Sequence, residues 1–203
     1  MKPIERPEPR YRLSLFPLPV VLLPGAAMPL HVFEPRYRAL VSDCLDSDRR
    51  FGMVYHDWDQ QGPFLSEEGR IGCVAEIKEH EALEDGRSLI VVEGVERFRI
   101  SDGIESEALY FEALVTPYRD ATVMQGDELA FRRRESIQLF QSVVGNLTRD
   151  PAEPLDLEAE SEVSFLLARA IQVDPAWHQR LLEIQDESVR LARLDRVFRS
   201  VLG

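Results

Sequence analysis

Lysine is almost missing from this sequence: Lys2 and Lys78 are the only two among 203 residues. A lysine nucleophile or Schiff base therefore has few candidates. Cysteine is as scarce. Cys44 and Cys73 lie far apart, and two reduced, buried thiols are expected rather than a disulfide. No apolar run of about 18 residues occurs, so no membrane-spanning helix is expected. The segment Met1 to Arg10 lacks the apolar stretch of a secretory signal. A cytoplasmic location is the default expectation, and the Asn146-Leu147-Thr148 glycosylation pattern is accidental in that setting. Positive charge is short overall. The formal net charge of -12 argues against nucleic acid as a partner, because a phosphate backbone needs basic compensation. The pattern Gly-x-x-x-x-Gly-Lys-Ser/Thr is absent, and with it the usual cradle for ATP phosphates.

What remains is the balance of a soluble globular chain: 44% hydrophobic and 30% charged residues, long enough for one sizeable core or two small ones. The densest information lies in residues 13–40. Apolar, strand-forming residues there are packed between Pro17, Pro19, Pro24 and Pro29. Each proline fixes φ and removes a donor, so the segment reads as short strands and bends. Pro35 then suits a first helical position. Tyr37, Leu40, Val41, Cys44 and Leu45 follow at helical spacing, an amphipathic helix suited to plugging or capping a barrel end.

Strand signals continue to Pro117. Phe51–Tyr55 is a short strand. In Arg70–Lys78 the residues Ile71, Cys73, Ala75 and Ile77 share one face, with Glu76 and Lys78 on the other. Asp85-Gly86 marks a tight hairpin. Ser88–Val92 reads as a strand buried on both faces, Gly94 as a bulge or bend, and Tyr110–Pro117 as the last strand. Many short strands joined by hairpins suggest a closed or partly closed antiparallel barrel. The polar loop 57–69 carries Trp58 and Phe64, expected to tuck onto the barrel because burying one large side chain is worth about 1.5–3 kcal/mol.

After Pro117 the period changes to helical. Phe131, Ile137, Phe140, Val144 and Leu147 form one stripe, and Val163, Leu166, Leu167, Ala170 and Ile171 another. Asp150 to Pro154 reads as a linker. Asp174-Pro175 and Asp186 are helix starts. Roughly four helices in this length make a bundle with its own core.

Several of these stretches, in this order, resemble the N-terminal substrate-binding domain of Lon proteases. They are Leu15 to Gly25, Met28 to Leu40, Gly72 to Ile77, Asp85 to Arg87, Val92 to Ile100, and the helical pieces Phe165 to Ala170 and Leu181 to Ile184. The resemblance covers all but about the first ten residues. It implies an α+β fold: a PUA-like antiparallel β pseudo-barrel with one inserted helix over residues 10–118, followed by a C-terminal α-helical bundle over 119–203. It also implies recognition of unfolded or degron-bearing polypeptide. Lon continues into an ATPase and a Ser–Lys peptidase domain, whereas this sequence ends at Gly203, so a free-standing Lon-domain protein is expected and proteolysis does not carry over.

No catalytic residue, metal ligand or cofactor is expected. Ser42 or Ser88 beside Lys78 lacks a nucleophile's motif context. His56, Asp57 and Asp59 read as a solvated loop and His31 as a structural hydrogen bonder. Glu34, Arg36 and Arg38 read as a helix cap with an arginine pairing to a barrel carboxylate, which the helix N-terminus favours. Arg97 and Arg99 read as solvent-facing, and Arg132-Arg133-Arg134 as a solvated helix face. The expected work is attachment: docking of a polypeptide client, or of a protease or chaperone partner, in a groove between barrel and bundle or by strand addition at an open edge. Pro24, Met28, Phe33 and Tyr37 are the contact candidates. A small hydrolase with an unrecognised site, or a PUA-like RNA binder, is the alternative reading.

Overall fold

The computed structural model describes residues 9–121, 123–148 and 162–203; the Asp150 to Pro154 stretch lies outside them. Two compact units divide between Arg119 and Asp120. The first holds six strands: β1 (Tyr11–Leu18), β2 (Ala27–Val32), β3 (Arg50–Tyr55), β4 (Ile71–Ala82), β5 (Ser88–Ile104) and β6 (Phe111–Pro117). Their order is β2-β5-β4-β3-β1-β6, and β5 pairs with β6 as well. Five strands thus close into a ring, and β2 hangs from β5 as a sixth. Strand β5 makes this possible by its length. Its first half pairs with β2 (Met28 opposite Val92) and its second half with β6 (Ile100 opposite Val115). The β4–β5 register shifts between Cys73 and Ala75, opposite Arg97 and Gly94, which is the bulge the Gly94 position predicts.

One pairing departs from the antiparallel expectation: β1 and β3 run parallel, Leu15 opposite Gly52. A parallel pair needs a crossover connection, and helix α1 (Pro35–Leu45), inserted after β2, lies in it.

Period-2 alternation sends neighbouring residues into two cores. Leu13, Leu15, Val54, Val74, Phe98, Ile100, Ala113 and Val115 come from all five ring strands and fill its interior. Phe16, Met53, Cys73, Ala75, Ile77, Ile90 and Val92 point the other way, onto Tyr37, Leu40, Val41 and Cys44 of α1. The inserted helix therefore builds a second core outside the ring instead of plugging it. Trp58 and Phe64 do tuck in, against the ring core: Phe64 is buried, its ring centroid 4.8 Å from that of Phe111. Between them runs one short turn of helix, α2 (Trp58–Gln61), capped by Asp57. Both cysteines are buried and unpaired, and burial pushes the Cys44 thiol up to about 12.

The second unit holds α3 (Gly126–Thr148), α4 (Val163–Arg169), α5 (Pro175–Leu182) and α6 (Glu187–Leu202). Asp174 and Asp186 cap α5 and α6 by accepting from the backbone N–H of Ala176 and Ser188. Helix α3 rotates away from its expected stripe. Ile137 and Val143 are buried but Phe131 and Leu147 are exposed, because Arg132 and Arg133 turn inward. Arg132 meets Asp195 at 2.6 Å and Arg133 meets Glu187 at 2.6 Å, both carboxylates almost wholly buried. Two of the three arginines thus pair inside the bundle, where a buried carboxylate needs a partner, and only Arg134 is exposed as expected. Helix α4 is buried on most of its surface, where a single stripe was expected. No helix among the described residues is long and apolar enough to cross a membrane.

Candidate functional site

The four contact candidates do not form one exposed surface. Pro24 is buried. Tyr37 is 3% exposed, with its ring stacked on Phe16 at 3.9 Å, so it is a core residue and unavailable to a ligand. Helical spacing alone puts Tyr37 on the same face as Leu40, Val41 and Cys44, which is the physical reason. Met28 is half-buried and packs against the same core. Phe33 stands out at 58% exposed, its ring 5.7 Å from the exposed His31. His31 is thus a surface residue of β2, and its ring makes no hydrogen bond among the described residues, where a structural one was expected.

The strand ribbon β2–β5–β4 beyond the ring has one face on α1, and no described element of the first unit covers the other. Register aligns His31, Leu89 and Glu81 across it, and Pro29, Val91 and Glu79 in the next row. These rows alternate with Leu30–Ile90–His80 and Met28–Val92–Ile77, which turn towards α1. Ser88–Val92 is therefore buried on one face only. Leu89 is 43% exposed, because β2 and β4 cover its edges but nothing described covers its outer side. A hollow of about 500 Å³ lies here, lined by Pro29, His31, Leu89 and Val91 with Glu79 and Glu81 at one side.

A second hollow, about 560 Å³, opens between α1 and the β4–β5 hairpin. Val41, Leu45 and Ala82 give it apolar walls, and Arg38, His80 and Ser88 give it polar ones. The hairpin turns at Asp85-Gly86, with Gly86 at φ 78°, and Arg87 donates to Asp85 at 2.6 Å. Phe33 links the two hollows along the chain: His31 lines the first and Pro35 the second.

Strand addition on β2 meets an obstacle. Its free edge carries Pro29, and a proline on an edge strand blunts pairing with a further strand. Side-chain docking on the ribbon face carries no such penalty.

Groups with chemical potential are occupied elsewhere. Lys78 is held by Glu76 at 2.6 Å and Glu93 at 3.4 Å. Hydrogen bonds from Lys78, then Arg50, hold Glu76 below the ordinary carboxylate range. Ser88 Oγ instead lies 3.3 Å from His80 Nε2, an exposed pair to which no carboxylate among the described residues bonds. A nucleophilic serine site uses such an orienting group. His56 is buried between Trp58 and Phe64, with Nε2 2.8 Å from the Gly62 carbonyl. Among the described residues no three His, Cys, Asp or Glu side chains converge as a metal site. Glu34 pairs with Arg36 at 2.8 Å and does not cap α1 with its side chain. Arg97, expected in solvent, is 4% exposed and lies over the Tyr118 ring at 5.0 Å.

Residues 12–196 match the family model of the ATP-dependent protease La (LON) substrate-binding domain. The chain belongs to the Lon substrate-binding domain family. The Lon protease of Cytophaga hutchinsonii is 27% identical over 179 residues, covering 82% of this chain and 21% of that protein. A LON peptidase N-terminal domain and RING finger protein of Schizosaccharomyces pombe is 27% identical over 198 residues, 89% of this chain and 37% of that one. The chain thus spans about a fifth of the Lon protease it matches, the N-terminal part. Among solved structures, a Lon N-terminal domain protein from Xanthomonas campestris superposes with a TM-score of 0.64 at 26% identity, over 91% of this chain and 96% of that one. The N-terminal domain of a Mycobacterium avium complex Lon protease gives 0.67 at 18% identity, a likeness of fold. The Lon-domain architecture expected from the separated motifs is therefore the one present.

The sequence left Leu89, Val91, Arg38 and His80 out of the site. A signal existed: with Ile90 and Val92 on the core side, alternation puts Leu89 and Val91 on the opposite face.

Proposed function

We propose that this chain is a non-catalytic polypeptide-binding module, engaging unfolded or degron-bearing clients in the cytoplasm alongside a protease or chaperone. The observation that carries the reading is the apolar set on the outer ribbon face, Pro29 and Leu89 exposed and Val91 half-buried, with the exposed Phe33 beside it. Isolated exposed apolar residues are ordinary, but a contiguous set lining a hollow marks a contact surface. Apolar docking here tolerates sequence variety in the client, since burial is non-directional. The substrate-binding description of the matched family supports it.

The test is calorimetric titration of the chain with a permanently unfolded protein, reduced and carboxymethylated. Binding is expected, and Leu89→Glu or Phe33→Asp should weaken it about tenfold, the equivalent of losing about 1.4 kcal/mol of apolar burial. Absence of heat with the native chain, or unchanged affinity in both variants, would sink the reading.

A further inference from the structure

The second hollow is positively lined in an acidic molecule. Acidic residues exceed basic ones by twelve overall, yet no carboxylate lines the space between α1 and the β4–β5 hairpin. The groups that do are Arg38, Arg87, His80, Ser42 and Ser88, with Val41 and Leu45 behind them. Arg87 already has a partner in Asp85. The Arg38 guanidinium has no ion-pair or hydrogen-bond partner among the described residues, although the chain as a whole is strongly acidic and the neighbouring arginines Arg36 and Arg87 are both paired.

Its position is set by the hairpin. A Cβ on Gly86 would collide with the Arg38 guanidinium, so the side chain lies across the turn, close against the Gly86 backbone. The positive φ of Gly86 and the missing side chain together leave this seat open. A planar guanidinium held in this way presents a fork of N–H donors, suited to the two oxygens of a carboxylate.

Resting on the polypeptide-binding reading above, we infer that the α1–hairpin hollow selects client segments in which an aspartate or glutamate side chain neighbours an apolar residue. Arg38 receives the carboxylate, Ser42 and Ser88 supply hydroxyl donors at its flank, and Val41 and Leu45 receive the apolar neighbour. One unpaired guanidinium matches one negative charge; the second arginine is already neutralised, which disfavours a phosphate dianion. A chain-terminal carboxylate is ordinarily captured by a nest of backbone N–H groups, so the acidic side chain is the better fit.

The experiment is fluorescence anisotropy with two labelled peptides, amidated at the C-terminus and identical except that one carries Leu-Glu-Leu and the other Leu-Gln-Leu. Native protein should prefer the glutamate peptide about fivefold, as expected for a partly solvated ion pair. The preference should shrink at high salt. Arg38→Gln should equalise the two peptides, and Arg38→Lys should restore part of the difference. Arg38 is exposed, so these variants are expected to keep the native melting temperature. Equal affinity of native protein for both peptides, with Leu89→Glu still weakening both, overturns this inference and leaves the binding reading standing. No binding of either peptide, with no heat from the unfolded protein, overturns both. A molecular mass that doubles with concentration, and reverts in Arg38→Gln, would give the hollow to a second copy of the chain and overturn the assignment.

Discussion

Arg190 and Asp120 form a two-pronged ion pair, Nη1 to Oδ1 at 2.7 Å and Nη2 to Oδ2 at 2.6 Å, although the arginine side chain is wholly buried. Two further donors are engaged: Nε donates to Ser164 Oγ at 2.8 Å, and Nη1 also to the Ile184 carbonyl at 2.8 Å. The guanidinium lies over the Phe165 ring at 4.4 Å. One side chain thus ties α6 to α4, to the turn after α5 and to the chain entering the bundle.

Removing that side chain should be severe. Arg190→Ala removes the guanidinium's bonds to Asp120, Ser164 and the Ile184 carbonyl and opens a large cavity. Breaking a buried pair from one side costs about 3–5 kcal/mol. Urea unfolding followed by circular dichroism should show a loss of that size for the bundle. Arg190→Lys should recover little of it, since an ammonium cannot form the fork. A loss under about 1 kcal/mol would mean the pair contributes specificity more than stability.

Acid sensitivity of the barrel should depend on Glu112. A hydrogen bond from Arg12, with Nε to Oε1 at 2.7 Å, holds its carboxyl below the ordinary range. A carboxylate with a depressed folded pKa stabilises fully above its unfolded value, about 4.3. As pH falls through the folded value the unfolded chain has already taken up its proton, and the stabilisation is lost. Urea midpoints at pH 7, 5 and 3 should therefore fall most steeply below pH 5 in the native protein. Glu112→Gln should start lower at pH 7 and fall less; parallel curves would contradict this.

Two glycine-to-alanine changes should have opposite signs. At Gly94 a Cβ would overlap the Leu23 carbonyl oxygen and sit 3.1 Å from Cys73 Sγ. The backbone there also bonds across to the loop, Gly25 N to Gly94 O at 2.7 Å and Gly94 N to Ala26 O at 2.9 Å. Overpacking at such a point costs about 1–3 kcal/mol. Gly145, inside α3, has nothing within 4 Å of its would-be Cβ, so alanine there should stabilise by about 0.5–1 kcal/mol through helix propensity. Melting temperatures of the two variants check both claims.

Local rules made much of this protein legible before its structure. The 2- and 3.6-residue periods locate β4, β6, α1 and α6, because burial of one face leaves its spacing in the chain. Asp85-Gly86, Asp174-Pro175 and Asp186 mark their turns and caps because those side chains act on backbone only a few residues away. The separated motifs were enough to read the Lon-domain fold.

What sequence spacing could not reach are relationships between residues distant in the chain. Arg132 and Arg133 look like a solvated cluster until α6 brings Asp195 and Glu187 beside them. Tyr37 and Phe33 are both aromatic and four residues apart, yet one stacks on Phe16 from β1 and the other stands in solvent. Leu89 is exposed because β2 and β4 flank it while no described element covers its outer side. The seat of the Arg38 guanidinium against Gly86 exists only because the hairpin folds back to meet α1. Composition and period set the elements, since those depend on neighbours in sequence; pairing, burial and the binding face depend on which elements the chain brings together, and only the tertiary structure decides that.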